Sequence, residues 1–169
     1  SIWVNQEQYV RDISPIQISR ERKQSPTAPV TEAERQSLRA LVGSLQYAAV
    51  NTRPDVAARL GWLQTQINKA TISTLLEGNK ILHETKLHSD VTIKFQAIPI
   101  DDIRFVAFSD ASFSSAKNPD SHQGMMIMST HKSIAENKNC PVNPLVWHSK
   151  QIQKVVVSTL SAEDRKSVV

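Results

Sequence analysis

The spacing of apolar residues changes period part-way along the chain. Leu38, Leu41, Val42 and Leu45 recur at i, i+3, i+4 and i+7, the spacing of one buried helix face. Thr31 is placed to cap that helix, and Glu34 three residues on completes a capping box. The segment Asn51–Asp55 interrupts it and opens another helix. There Asn51 or Thr52 can cap, and Pro54 suits a first turn whose N–H would have no partner. Val56, Leu60, Leu63 and Ile67 form the second stripe. A third helix is expected across Ser73–His88, with Gly78 inside it costing about 1 kcal/mol of propensity. Before these, Ile2–Val4 suggests a short strand and Glu7–Ile13 a helical turn. Arg20–Pro29, polar and holding Pro26 and Pro29, suggests a linker.

Beyond residue 88 the period becomes that of strands. Val91–Phe95 alternates, and Phe105–Phe108, Gly124–Met128 and Leu145–Trp147 are short apolar runs. Val155–Val157 is β-branched and leads to a helix start at Ser161–Asp164. The expected fold class is therefore α+β: a helical region, then a meander of strands that ends as a helix opens. No internal repeat or low-complexity tract appears.

Composition limits the function classes. Among 169 residues 40% are hydrophobic and 21% charged, which argues against disorder throughout. No apolar run approaches the roughly 18 residues of a membrane span, so no membrane partner is expected. The start, Ser1–Glu7, lacks the basic and apolar regions of a secretory signal. It also lacks a Met, as expected of a piece cut from a longer chain. The single cysteine, Cys140, excludes an internal disulfide and fits a reducing compartment. A net charge of +4 permits a nucleic-acid partner without requiring one.

Asp110 is the most informative polar residue. In an extended strand it shares a face with Val106 and Phe108, and a carboxylate ending an apolar face needs a hydrogen bond, an ion pair or a metal. A strand-end turn, with the carboxylate bonding nearby N–H groups, also fits. Glu163 lies in the first turn of the last expected helix, where an acid also suits the helix dipole. Ser161 and Asp164 already have the capping-box spacing, so the cap does not require Glu163. One carboxylate on a strand and one on a later helix can share Mg²⁺. His83, His88, His122, His131, His148 and Cys140 reproduce no zinc spacing. Four glycines form no phosphate loop, and no Gly-x-Ser-x-Gly elbow occurs. Lys150 and Lys154 flank the last strand, either as solvated surface charge or as phosphate contacts.

Taken together, these segments resemble the Pol polyprotein of copia-type LTR retrotransposons. Leu41-Val42-Gly43-Ser44-Leu45-Gln46-Tyr47 followed by Asn51-Thr52-Arg53-Pro54-Asp55-Val56-Ala57 is similar to the family's "LxGSLxYLxxxTRPDIA" signature. Val4–Val10 is similar to its "LSQxxYI" segment, and Phe108-Ser109-Asp110-Ala111-Ser112 to the "YSDADW" strand that opens its ribonuclease H domain. Gly124, then Leu145-Val146-Trp147 with Ser149-Lys150-Gln151, then Ser158-Thr159-Leu160-Ser161-Ala162-Glu163 follow in the family's order, resembling "SGY", "ISWSSKKQ" and "STAEAEY". The resemblance covers nearly the whole chain, and it is the joint order of the motifs that is specific.

The resemblance implies a segment across a junction. Residues 1–98 would be the thumb- or connection-like end of a reverse transcriptase. Residues 99–169 would be a ribonuclease H-like mixed sheet, incomplete at the C-terminus, with the start of its first helix. Asp110 and Glu163 would be its first two catalytic carboxylates and would bind Mg²⁺, of which such nucleases hold two ions about 4 Å apart. Arg53, Lys150 and Lys154 would contact an RNA–DNA hybrid or single-stranded nucleic acid, and the remainder of the polyprotein would be the protein partner. The parent would act in the cytoplasm within a virus-like particle, with the nucleus a second setting. The family's later catalytic aspartates and its polymerase aspartates fall outside this stretch, so the segment alone is expected to be inactive. Asp164 stands where the family usually carries an apolar or aromatic residue and is followed by Arg165 and Lys166, as in a decayed copy or after a frame change near the end.

Overall fold

The computed structural model describes residues 1–112 and 122–151. The chain divides into two compact units, Asn5–Val91 and a second made of Ser1–Val4 with the residues from Thr92 onward. The division falls at Val91 rather than at residue 98 because the first strand, β1 (Ile2–Val4), pairs with β2 (Ile93–Phe95). The expected strand at Val155–Val157 and helix start at Ser161 lie outside the described residues.

The first unit is helical: α1 (Glu7–Asp12), α2 (Arg20–Lys23), α3 (Glu32–Asn51), α4 (Pro54–Gln66) and α5 (Ile72–Leu87). The periodic positions form its core. Leu38, Leu41, Val42 and Leu45 of α3 are buried against Val56, Leu60 and Leu63 of α4 and Ile72, Leu75, Ile81 and Leu82 of α5. Ile67 leaves the helix for a 3₁₀ turn and packs at the margin of that core. Helix α5 runs through Gly78 without a break. A Cβ there would lie 3.3 Å from Leu41 Cδ2 and 3.4 Å from Leu38 Cδ1, so the glycine marks the close approach of α5 to α3.

The stretch expected to be a linker is more ordered than its composition suggests. It contains α2, and its carbonyls supply acceptors to the opening turn of α5: Ile72 N–H donates to Ala28 O at 3.1 Å and Ser73 N–H to Pro26 O at 2.8 Å. The capping box forms as its spacing implies. Glu34 N–H donates to Thr31 Oγ1 at 3.2 Å and Thr31 N–H to Glu34 Oε2 at 2.7 Å. Arg22 clamps the same carboxylate, with Nη2 2.6 Å from Oε2 and Nε 3.0 Å from Oε1.

These donors, Arg22 first, outweigh the opposing effect of burial and lower the Glu34 pKa from 4.5 to about 2. A group lowered on folding stabilises fully above its ordinary pKa and loses that contribution as pH falls toward the folded one. The urea midpoint of the wild type is therefore expected to fall between pH 4.5 and 2, with a flatter profile for Glu34→Gln across that window. Parallel profiles would show that the clamp contributes nothing.

The second unit holds the β1–β2 ribbon and an antiparallel meander, β3 (Ile103–Ser112), β4 (His122–His131) and β5 (Val142–Gln151), in the spatial order β3-β4-β5. The chain is thus α+β, with three main helices followed by a three-stranded antiparallel sheet. The strands extend the apolar runs by several residues at each end. Pro144 cannot donate to the ladder, and the β4–β5 register shifts there: Ile127 pairs with Val146 but Met128 with Pro144, leaving Leu145 as a bulge. Asn143 ties β5 to the residue after β2, accepting from Gln96 N–H at 2.8 Å and donating to Gln96 O at 2.9 Å.

Candidate functional site

Asp110 lies near the end of β3, where alternation places it on one face with Val106 and Phe108. The register puts Gly124 directly opposite, and Ser149 opposite Gly124 on β5. The adjacent row on that face is Phe108, Met126 and Trp147. Asp110 therefore ends an apolar stripe beside a position that has no side chain, and it is exposed. A Cβ at Gly124 would meet only His148 O, at 4.0 Å, so packing does not require the glycine.

Glu163 and Lys154 lie outside the described residues, as does any shared ligation between Glu163 and Asp110. Among the described residues no group of three or more His, Cys, Asp or Glu could hold a metal ion. One exposed carboxylate is a poor Mg²⁺ site, since that ion needs several oxygen ligands. The described residues thus do not by themselves fit the pair of ions that the resemblance implies.

The basic residues are not gathered either. Lys150 is exposed on β5, but it pairs with Gln123, one position off the Asp110 row, and so projects from the opposite face. Its neighbour on that face, His148, has its pKa lowered, first by burial and then by the charge of Lys150.

Arg53 departs furthest from expectation. It is 2% exposed, whereas a phosphate contact requires donors that face solvent. Nε and Nη2 grip Asp55 in a fork at 2.9 and 2.7 Å, and Nη1 donates to Thr85 O and His88 O, both at 2.9 Å. Those carbonyls belong to the last turn and cap of α5, where backbone acceptors have no partner within the helix and positive charge is favoured. Burial alone would raise the Asp55 pKa, but hydrogen bonds and charge from Arg53 hold it below its ordinary value. The Thr-Arg-Pro-Asp segment is thus a joint: Pro54 and Asp55 start α4, and Arg53 fastens that start to the end of α5.

Two charged groups were not anticipated from the sequence. Arg59 on α4 bridges Glu77, at 2.7 Å, and Glu84 on α5, which raises the Arg59 pKa and lowers that of Glu84. The seven-residue spacing of the two glutamates, two turns along one helix face, is the available signal. Arg59 and Glu84, with Arg53, Asp55 and His88, line a cleft of about 250 Å³ in which Arg53 is paired with Asp55 and Arg59 with Glu84 and, beyond the lining, Glu77. In the other unit, His131 Nδ1 accepts Ser133 N–H at 3.1 Å and Nε2 lies 3.2 Å from Asp102 Oδ2. Lys132 meets the other Asp102 oxygen at 2.7 Å and, ahead of His131, lowers the Asp102 pKa. This Ser–His–Asp line caps a turn after β4, and with its carboxylate already neutralised by Lys132 it lacks the poise of a nucleophile relay.

No protein-family model, curated protein or solved structure matches the chain.

Proposed function

We propose that the chain is a segment of a copia-type retrotransposon polyprotein, spanning the end of the reverse transcriptase and the first part of a ribonuclease H-like domain. The parent would copy RNA into DNA and hydrolyse the RNA strand of RNA–DNA hybrids with Mg²⁺. The segment itself is catalytically silent, because Asp110 and Glu163, the two carboxylates that the resemblance implies, are only part of the family's catalytic set.

The observation that carries this reading is the position of Asp110. It ends the apolar face of the first strand in an antiparallel meander, opposite glycine, and the strand order follows the order of the sequence motifs. A ribonuclease H fold begins with such a meander and carries its first catalytic acid on the first strand, so the likeness is a fold-level analogy joined to a motif order. Arg53 is left out of the nucleic-acid surface because its donors are committed internally. Lys150 remains in it.

The test is a labelled RNA–DNA hybrid titrated with the whole chain. Binding is expected to weaken as salt rises from 50 to 200 mM, by about tenfold if two or so phosphates are contacted, and no cleavage is expected in Mg²⁺. Absence of binding at low salt would remove the nucleic-acid reading. Mg²⁺-dependent turnover that Asp110→Asn abolishes would show that the segment is a nuclease in its own right.

A further inference from the structure

We propose that two copies of this chain join edge to edge along β3, in a two-fold antiparallel register centred on Ala107. The proposal stands apart from the nuclease reading, since it rests on the sheet edge alone.

Among the described residues β3 pairs only with β4, so its other side is a ten-residue edge. That edge has few of the devices that blunt pairing: it contains no proline and no lysine, and its strand carries apolar side chains into solvent, with Phe105 71% and Phe108 59% exposed. On the opposite edge of the sheet the side-chain amide of Asn143 on β5 is tied to the backbone of Gln96 by hydrogen bonds in both directions. A two-fold pairing uses the same edge of both copies, so the β3–β3 contact closes at two copies.

The sequence of the edge is complementary to itself. A two-fold axis through Ala107 sets each residue opposite the one equally far beyond the axis. Arg104 then faces Asp110 of the second copy, and Val106 faces Phe108, each twice by symmetry. On the other face Phe105 meets Ser109, and Ile103 meets Ala111. Arg104 makes no ion pair among the described residues; its guanidinium donates to Ile103 O. Neighbouring symmetric registers lose this match. Centring on Val106 sets Asp102 against Asp110 and Arg104 against Phe108, and centring on Phe108 sets Val106 against Asp110. Opposite charges across a strand pair stabilise and like charges destabilise, so the Ala107 register is selected on both counts.

Sedimentation equilibrium on the whole chain tests this. A concentration-dependent monomer–dimer equilibrium is expected. Arg104→Asp or Asp110→Arg turns two attractive pairs into two repulsive ones and should raise the dimer Kd about tenfold. The double variant Arg104→Asp/Asp110→Arg should return it to the wild-type value. In a Cys140→Ser background, mild oxidation should link Ala107→Cys into a covalent dimer but leave Ser109→Cys unlinked, because only residue 107 meets its own copy within disulfide reach. A chain that stays monomeric, a dimer indifferent to both charges, a double variant that does not recover, or equal linking at 107 and 109 would each overturn the proposal. The first outcome is the one expected if another polypeptide strand occupies the edge.

Discussion

Arg53→Ala is expected to destabilise the helical unit by about 3–4 kcal/mol, a large share of a small unit's stability. The change removes a guanidinium that is 2% exposed, leaves Thr85 O and His88 O without their donor, and strands Asp55 beside the cavity. Asp55 is half exposed and water can reach it, so the cost falls short of a fully buried unpaired charge. Arg53→Lys should recover only part of the loss, because an ammonium cannot fork onto the carboxylate while also reaching two carbonyls. Urea unfolding followed by helical circular dichroism measures both variants. A loss within about 0.5 kcal/mol, typical of a surface arginine, would show that the clamp is not closed.

Gly78→Leu should cost about 2–3 kcal/mol, while Gly78→Ala should leave stability nearly unchanged. The alanine methyl would sit 3.3 and 3.4 Å from the ends of Leu41 and Leu38, which can shift by a few tenths of an ångström. That adjustment offsets the roughly 1 kcal/mol that alanine adds in helix propensity. A leucine extends further into the same space, where Leu38, Leu41 and Leu63 are already buried, and it must spread α5 from its neighbours. The same melts rank the three proteins. A leucine variant as stable as the wild type would mean that α5 does not press on α3 at this point.

Both sites illustrate what the sequence carries and what it does not. The helical core was legible because burial follows a local rule: Leu38, Leu41, Val42 and Leu45 repeat with the turn of the helix, and Thr31 with Glu34 mark its start within four residues. Gly78 was visible only as a cost to the helix, since its benefit comes from Leu38 and Leu41, some 40 residues away on another helix. Arg53 was expected to contact nucleic acid, a role that needs its donors to face solvent. Its burial depends on carbonyls 32 and 35 residues further on, which no local pattern announces. On the sheet, Val106, Phe108 and Asp110 alternate, so the face of the carboxylate could be assigned from residue spacing. Its partner Gly124 could not, because register is a property of two strands.

The pairing of Val4 with Ile93 has a topological consequence. The helices from Asn5 to Val91 form an excursion between two neighbouring strands, so the chain leaves the sheet unit and re-enters it at almost one point. During synthesis the first four residues emerge with no mate and wait until all the helices have been made. A short turn joining Val4 to Thr92 would excise the helices and preserve the ribbon. The reverse graft, carrying Asn5–Val91 into a host hairpin, would keep both junctions side by side.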